Sequence, residues 1–247
     1  MRETRILMGM PITVEVVDPS AQAIINTVFD YLHQVDTRFS TYKTNSEISA
    51  FNRGEILGKN LSAEMREVFR IAARTREESD GYFEIRKSDG QIDPSGIVKG
   101  WAIRNAARII KKAGFENYFV EAGGDIQSGG MNEQGCEWHI GIRSPFQFDE
   151  IIKVVAPRGK GIATSGSYVR GQHIYNPKAP TQPIEDIVSL SVIGPDILEA
   201  DRFATAAFAM GTDGIYFIEN LRGFEAYMVD AKGIATQTTG FGEYVVS

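Results

Sequence analysis

The chain has 247 residues, of which 43% are hydrophobic and 23% are charged, and its formal net charge is −6. These proportions are typical of a globular protein that buries a large core, as one large domain or two small ones. The acidic balance argues against a surface that binds duplex nucleic acid, so no nucleic-acid partner is expected.

Cysteine content and the N-terminal sequence bear on the compartment. Cys136 is the only cysteine, so the chain forms no internal disulfide and no cysteine-based metal cluster, which fits a reducing compartment. The first residues carry no charged-then-apolar leader pattern, and no apolar run is long enough to span a bilayer. The expected location is cytoplasmic as the sequence stands, or periplasmic if a leader has been removed.

The first half of the chain alternates strand and helix patterns. Apolar and polar residues alternate over 12–16, which predicts an early strand. Ser20 then opens an amphipathic helix with apolar residues at helical spacing. Two further helices are predicted over 62–79 and 98–113, the second with Gly114 at its C-terminal cap.

The second half is richer in strands. Asp196 and Glu199 form a start resembling a capping box for a helix that ends at Gly211, and a short helix is predicted over 213–222. Because the strands within 137–156 lack helical crossovers, much of the sheet should be antiparallel or mixed. The chain is therefore α/β in content and α+β in layout. Strands are predicted around 117–122, 137–143, 151–156, 187–193, 225–230 and 243–246.

One candidate metal site lies in ILEADRFATAAFAMG (197–211). Asp201 and Thr205 are four residues apart and share one face of the predicted helix. A carboxylate, a hydroxyl and a nearby backbone carbonyl suit Mg²⁺, which takes few protein oxygens and keeps water ligands. The alternative is a solvated helix charge and a threonine packed among alanines, which the spacing alone favours.

A candidate phosphate site lies in IATSGSYVRGQHIYNP (162–177). Backbone N–H groups in its small-residue turn could bind phosphate oxygens, and Arg170 could add a planar, charge-matched contact. Histidine side chains ordinarily titrate near neutrality, so His173 could serve as a general base. A plain hairpin with a half-buried histidine is the alternative.

Three loops could contact a ligand. In VEAGGDIQSGG (120–130), a strand ends at two glycines, and Asp125 could accept hydrogen bonds from a ribose or from a helix N-terminus. In DTRFSTYKTNSEISAFN (36–52), an exposed Tyr42 could stack on a planar ring, or it could pack in the core. In DPSGIVKGWA (93–102), a turn places Lys99 at the start of a helix, and a simple turn with a cap is the alternative.

Taken in order, these segments resemble the ApbE family of FAD:protein FMN transferases, over essentially the whole chain and with compatible spacing. The resemblance implies a single ApbE-like domain over 1–247. The similar segments are MGMPITVEV (8–16), RFSTYKTNSEISAFN (38–52), SDGYF (79–83), DPSGIVKGWA (93–102), AGGDI (122–126), ATSGSYVRGQH (163–173) and EADRFATAAFAMG (199–211).

The resemblance implies an activity and a set of site residues. Proteins of this family bind FAD and Mg²⁺, cleave the diphosphate and transfer FMN to a threonine hydroxyl of an acceptor, here expected to be a redox flavoprotein subunit, with release of AMP. By motif position, Asp201, Thr205 and the Gly96 carbonyl would bind the metal, and His173 and Asp201 would be catalytic. The residues expected at the FAD site are Met8, Ser40, Thr41, Tyr42, Glu84, Asp93, Lys99, Asp125, Ser165, Gly166 and Arg170.

Several positions depart from the family pattern. Tyr82-Phe83-Glu84 stands where the family often has Gly-x-Phe-Asp, and Asn176 replaces an aspartate after the histidine. Ser95 and Val98 replace smaller residues of the glycine-rich turn. Two alternatives therefore stay open: an FAD pyrophosphatase that gives FMN and AMP, and a flavin-binding carrier without catalysis.

Overall fold

The computed structural model describes residues 1–147, 149–166 and 174–246, and its central element is an eight-stranded sheet. Every strand pairing among these residues is antiparallel. A separate two-stranded sheet joins β5 (Ile140–Arg143) to β6 (Ile151–Val155). In spatial order the large sheet contains β1 (Arg2–Leu7), β2 (Met10–Val16), β3 (Tyr118–Ala122), β4 (Asp125–Gly129), β7 (Gly161–Gly166), β8 (Ile187–Gly194), β9 (Glu225–Asp230) and β10 (Ala235–Gln237).

Two helices begin directly after capping residues from which the sequence predicts them. Ser62 Oγ accepts a hydrogen bond from Met65 N, and Asp196 Oδ1 accepts one from Glu199 N, so each side chain caps a helix N-terminus. No helix in the described parts of the chain is long and apolar enough to cross a membrane. The α-helices are α1 (Gln22–Phe39), α2 (Glu47–Asn52), α3 (Ala63–Glu78), α4 (Ser95–Lys112), α5 (Ile197–Ala209) and α6 (Gly214–Glu219).

The large sheet buries an apolar layer on each of its faces. Because successive strand residues point to opposite faces, the neighbours Val192 and Ile193 of β8 belong to different layers. The first layer contains the helices, with Trp101 of α4 buried in it. The second layer is smaller and contains Ile142 of β5 and the fully buried Phe241.

Helices α4 and α5 cross with their backbones in close contact. A Cβ on Gly100 would lie 2.9 Å from Asp201 Cβ and 3.0 Å from the Ile197 carbonyl oxygen. Any larger residue at position 100 would therefore separate the helices. This crossing holds the start of α4 against the middle of α5.

The first turn of α5 is also fixed to the sheet. The buried Gln127 side chain of β4 accepts a hydrogen bond from Ile197 N at 2.9 Å and donates one to the Gly159 carbonyl, also at 2.9 Å. A Cβ on Gly161 of β7 would lie 2.1 Å from Ile197 N, so the strand and the helix start touch through backbone. The position of α5 is thus set by both a helix and the sheet.

Most predicted helices and strands are confirmed within a few residues. Gly114, with φ +90°, ends α4 as predicted, and its N–H donates to the Lys111 carbonyl. Helix α4 begins at Ser95, three residues earlier than predicted, because Pro94 occupies the N-cap position and already has near-helical backbone angles. The turn in DPSGIVKGWA is therefore the first turn of the helix itself.

Strand β4 was not predicted, and three predictions of irregular or strand structure were wrong. Gly123 and Gly124 form a two-residue hairpin turn with positive φ, after which β4 begins at once at Asp125. The predicted turn after Gly161 is strand β7, and the predicted loop over 36–52 contains α2. The predicted strand over 243–246 is largely a 3₁₀ turn over Phe241–Tyr244, because buried Phe241 has glycines on both sides.

Candidate active site

A cavity of about 860 Å³ lies where the helices, the large sheet and β5 meet. Its size is within the range of cofactor-binding pockets. The first turn of α4 and the middle of α5 form part of its wall. The sequence-predicted residues that line it are Met8, Ser40, Thr41, Tyr42, Glu84, Asp93, Gly96, Lys99, Ser165, Gly166, Asp201 and Thr205.

One predicted residue in the described part of the chain is not in this wall, and two others cannot be assigned to it or excluded from it. Asp125 is fully buried and lies behind the wall, where its Oδ1 accepts a hydrogen bond from Thr164 N at 3.0 Å. Its position favours contact with Lys99 over the predicted contact with FAD. Arg170 and His173 lie outside the described residues, so their roles stay predictions.

Asp93 stabilises the start of α4. Its Oδ1 accepts a hydrogen bond from Ser95 N at 3.2 Å, and its Oδ2 lies 2.8 Å from Lys87 Nζ. Burial alone would raise the pKa of Asp93, but the Lys87 ion pair and the Ser95 hydrogen bonds outweigh it and lower that pKa. Asp93 is thus an ionised residue that fixes the turn at the cavity edge.

The cavity rim carries an exposed aromatic ring and a hairpin turn. Tyr42 is 96% exposed, so its ring is available to stack on a planar group. Met8 has φ +54° and precedes Gly9 with φ +73°, which together make the two-residue turn between β1 and β2. A non-glycine residue in this conformation is uncommon and is found more often at functional sites.

Two buried carboxylates and one lysine form a charged cluster at the floor of the cavity, in which Lys99 and Asp201 line the cavity and Asp125 lies behind them. Lys99 Nζ lies 2.5 Å from Asp125 Oδ2 and 3.6 Å from Asp201 Oδ1. Among the described residues, Asp125 Oδ2 has no hydrogen bond of good angular geometry, so its contact with Lys99 is an ion pair. One lysine facing two carboxylates leaves a negative balance within this cluster.

The Asp201 carboxyl is destabilised in its charged form. Its side chain is nearly completely buried, and this burial raises its pKa to about 7. Lys99 opposes the shift, whereas the nearby Asp125 carboxylate adds to it. A second positive charge near Asp201 would therefore stabilise the carboxylate form.

Gly96 lies next to Thr205, where α4 and α5 are close. A Cβ on Gly96 would lie 3.0 Å from the Phe83 ring and 3.7 Å from Thr205 Cγ2, so α4 and α5 are also close here. The Gly100 N–H, which an α-helix directs at the Gly96 carbonyl, also donates to Asp201 Oδ2 at 2.8 Å. A carbonyl oxygen has two lone pairs, so the Gly96 carbonyl has the capacity to accept a second partner.

The sequence of the chain matches one protein family over most of its length, including the residues that line the cavity. The ApbE family model matches residues 8–89 and 84–228. The chain belongs to the ApbE family.

Characterised and structurally solved ApbE-family proteins are similar to it. The FAD:protein FMN transferase of Escherichia coli (strain K12) is 31% identical over 167 residues, which are 64% of this chain and 47% of that protein. The chain thus aligns with about half the length of this relative. The Haemophilus influenzae FAD:protein FMN transferase is 23% identical over 80% of this chain and 75% of its own.

The fold of the chain is that of solved ApbE proteins. The flavin transferase ApbE from Vibrio cholerae superposes with a TM-score of 0.86 at 21% identity, over 99% of this chain and 98% of that one. The ApbE protein from Thermotoga maritima gives a TM-score of 0.86 at 20% identity, over 100% and 99% of the two chains. At this identity the likeness establishes the fold.

The oxygen donors in this cavity fit Mg²⁺. Asp201, Thr205 and the Gly96 carbonyl offer hard oxygen atoms, which Mg²⁺ prefers to nitrogen or sulfur. In the described parts of the chain, no group of three or more His, Cys, Asp or Glu side chains could hold a metal by itself. One carboxylate with neutral oxygens suits a cation that also binds water and substrate phosphate.

Part of the wall was not predicted from the sequence, and it includes residues of β3 and residues in or next to β5. Glu121, His139 and Arg143 also line the cavity. The spacing of His139 from the other histidines argues against a zinc site. It does not show whether His139 lines a cavity. The sequence predicted a strand over 137–143, but it gave no sign that this strand lies at the cavity. That position depends on the packing of β5 beside the large sheet.

Proposed function

We propose that the chain transfers FMN from FAD to a threonine hydroxyl of an acceptor protein, in a reaction that depends on Mg²⁺ and releases AMP. The observation that carries this proposal is the meeting of Gly96, Asp201 and Thr205 in one cavity of an ApbE-family chain. The relatives named FAD:protein FMN transferase support the choice of donor and acceptor class. A redox flavoprotein subunit is the proposed acceptor.

The proposed reaction exchanges one phosphorus–oxygen bond for another. The acceptor hydroxyl oxygen bonds to the phosphorus of the FMN half, and the bond from that phosphorus to the bridging oxygen breaks. AMP leaves with the electron pair, and the hydroxyl proton passes to a base, for which His173 is the predicted residue. Phosphoryl transfer of this kind needs charge neutralisation and alignment more than covalent help.

The residues at the cavity floor would supply both the charge neutralisation and the alignment that phosphoryl transfer needs. Asp201, Thr205 and the Gly96 carbonyl would hold Mg²⁺, which, when bound, supplies positive charge to the diphosphate. Lys99 contributes a cation in the first turns of α4, where the helix dipole also favours an anion. Asp125 positions Lys99 through their ion pair, and Tyr42 offers its exposed ring to a planar part of FAD.

We also propose that residues 1–247 act as one domain. The large sheet takes β1 from the start of the chain and β10 from near its end. The lining residues extend from Met8 to Thr205 in sequence. Neither the sheet nor the cavity can be assigned to one half of the chain.

Product analysis tests the proposed function. The chain is incubated with FAD, Mg²⁺ and a threonine-bearing domain of a redox flavoprotein subunit, and the acceptor mass and soluble nucleotides are measured. FMN on the acceptor threonine with one AMP released per transfer is the expected result. Free FMN with AMP would instead show that the chain is an FAD pyrophosphatase. Unchanged FAD would support a flavin-binding carrier without catalytic activity.

Asp201→Ala is the variant that tests the site. Because it removes the charged ligand proposed for Mg²⁺, transfer should fall at least about a thousandfold, as for loss of a strong transition-state contact. Asp30→Ala, on an exposed face of α1, is the matched control and should keep wild-type activity. Mg²⁺-dependent turnover retained by Asp201→Ala would refute the proposed metal ligand.

A further inference from the structure

Strand β5 presents its edge to the cavity. Five consecutive residues, 139–143, line the cavity wall. A strand that presented one face would contribute every second residue, because successive side chains point to opposite faces. A continuous run of lining residues therefore means that main chain, and not one row of side chains, borders the cavity.

The strand register shows which backbone groups point outward. Gly141 is paired with Val154 of β6, and the Val154 carbonyl accepts a hydrogen bond from Val246 N at 3.0 Å on the other side of β6. Val154 thus directs its backbone groups away from β5, and Gly141 and Val154 form a non-hydrogen-bonded pair. The Gly141 N–H and carbonyl consequently point away from β6.

The same pattern extends to His139. If the register is continued, His139 faces Ala156, whose N–H donates to the Tyr244 carbonyl and so also points away from β5. The outward backbone groups of His139 and Gly141 are two residues apart, which is the repeat of an added strand, about 6.6 Å. Both residues are exposed, and no strand among the described ranges pairs with this side of β5.

A glycine in the middle of this short strand also favours a backbone neighbour. Glycine weakens a strand interior and often marks a place where a ligand or another backbone approaches closely. Gly141 has no side chain of its own to cover the outward main chain at the centre of this run. We name the outward backbone of residues 139–143 the β5 edge.

We propose that the β5 edge binds an extended segment of the acceptor protein and so delivers its hydroxyl to the cavity. This inference rests on the proposed transfer function, because a hydrolase needs no polypeptide acceptor. Strand addition uses main-chain hydrogen bonds for affinity, so it tolerates varied side chains around the target residue. The continuous border between the β5 edge and the cavity would place such a segment at the wall of the cavity that contains the proposed reacting groups.

Two substitutions at one position separate the backbone donor from the added side chain. Gly141→Pro removes the outward N–H and leaves the β5–β6 hydrogen bonds, since Gly141 is not bonded to β6. Gly141→Ala keeps the N–H and is the matched control. In both, the new Cβ approaches the flexible end of the Ile151 side chain, 2.9 Å away before adjustment.

The two variants are compared in three assays: FAD binding by flavin fluorescence, Mg²⁺-dependent FAD cleavage, and transfer to a redox-subunit domain that wild type flavinylates. Gly141→Pro should raise the KM for the acceptor roughly threefold to tenfold, as expected for one lost main-chain hydrogen bond. Its FAD affinity should match wild type, and Gly141→Ala should raise the acceptor KM by less than Gly141→Pro does. Gly58→Ala, where a Cβ would meet no atom within 4 Å, should stay within about twofold in every assay.

Each other outcome has a definite meaning. An unchanged KM for the acceptor in Gly141→Pro would refute the inference. Weakened FAD binding in that variant would assign the β5 edge to FAD and also refute it. If wild type transfers no FMN to any acceptor domain yet binds or cleaves FAD, the proposed transfer function fails first, and the inference fails with it.

Hydrogen exchange on the wild-type chain provides a test that needs no variant. The Gly141 amide should exchange rapidly in the free protein and in the FAD complex, since it points outward at an exposed edge. Addition of the acceptor domain should slow exchange in the peptide that contains residues 139–143. Exchange that stays fast with saturating acceptor would contradict strand addition even if Gly141→Pro fails to fold.

Discussion

Asp201 combines two properties that oppose each other. Its burial beside Asp125 makes the carboxylate a strong site for a cation and makes its charge costly when no cation is bound. Because burial raises the pKa of Asp201 to about 7, the folded chain without metal keeps a proton there that the unfolded chain releases near pH 4. Stability of the metal-free chain should therefore fall as pH rises from about 4 to about 7.

Asp201→Asn should remove this pH-dependent loss. Asparagine keeps an oxygen that can accept the Gly100 N–H bond, but it carries no charge. We expect the metal-free variant to be more stable than wild type at pH 8, by on the order of 2 kcal/mol, with little difference at pH 4. Urea unfolding in EDTA at both pH values measures this, and a variant less stable than wild type at pH 8 would contradict it.

At the residue scale, sequence spacing identified only the local part of the site. Asp201 and Thr205 are four residues apart on one helix, so helical periodicity was enough to place them together. Asp125 and Lys99 belong to a strand and another helix, and no periodic pattern connects them with Asp201. Their meeting depends on the close crossing of α4 and α5, which is a property of packing.

At the scale of elements, that crossing depends on the missing side chain of Gly100. We expect Gly100→Ala to destabilise the fold by about 1–3 kcal/mol, because the backbone of Ile197 leaves the new methyl group no space. The displaced Asp201 should also weaken Mg²⁺-dependent activity. Urea unfolding and initial rates measure the two effects in one variant.

Gly58→Ala is the control for this substitution. A Cβ on Gly58 would meet no atom within 4 Å, and the residue does not have a positive φ. This variant should therefore unfold within about 0.5 kcal/mol of wild type and keep its activity. Equal stability of Gly100→Ala and Gly58→Ala would contradict the close crossing.

Helices and strands could be predicted where a local sequence pattern was sufficient to determine them. Helices α1, α3 and α5 have apolar residues at helical spacing, and α3 and α5 have side-chain caps. Strand β4 follows a two-glycine hairpin turn, and in sequence its small and polar residues resemble a longer loop. Its strand conformation comes from pairing with β3 and β7, which no short window of sequence contains.

At the scale of the whole molecule, the two apolar layers share one sheet. Adjacent residues of β8 belong to different layers, so neither layer can unfold and leave that strand intact. This predicts one cooperative unfolding transition for both layers. The two tryptophans of the chain provide probes for the test, because they lie in different surroundings.

Trp101 is buried in the helical layer, whereas Trp138 stacks on Phe119, which packs against the second layer. In Trp138→Phe, fluorescence reports the helical layer, and in Trp101→Phe it reports the side of the second layer. Within each variant, the urea midpoint by fluorescence should equal the midpoint by far-UV circular dichroism, whatever the substitution costs in stability. A Trp138 signal that is lost at lower urea than the helical signal would show that the β5–β6 side unfolds separately. The β5 edge would then be part of a unit that can order on its own when an acceptor segment binds.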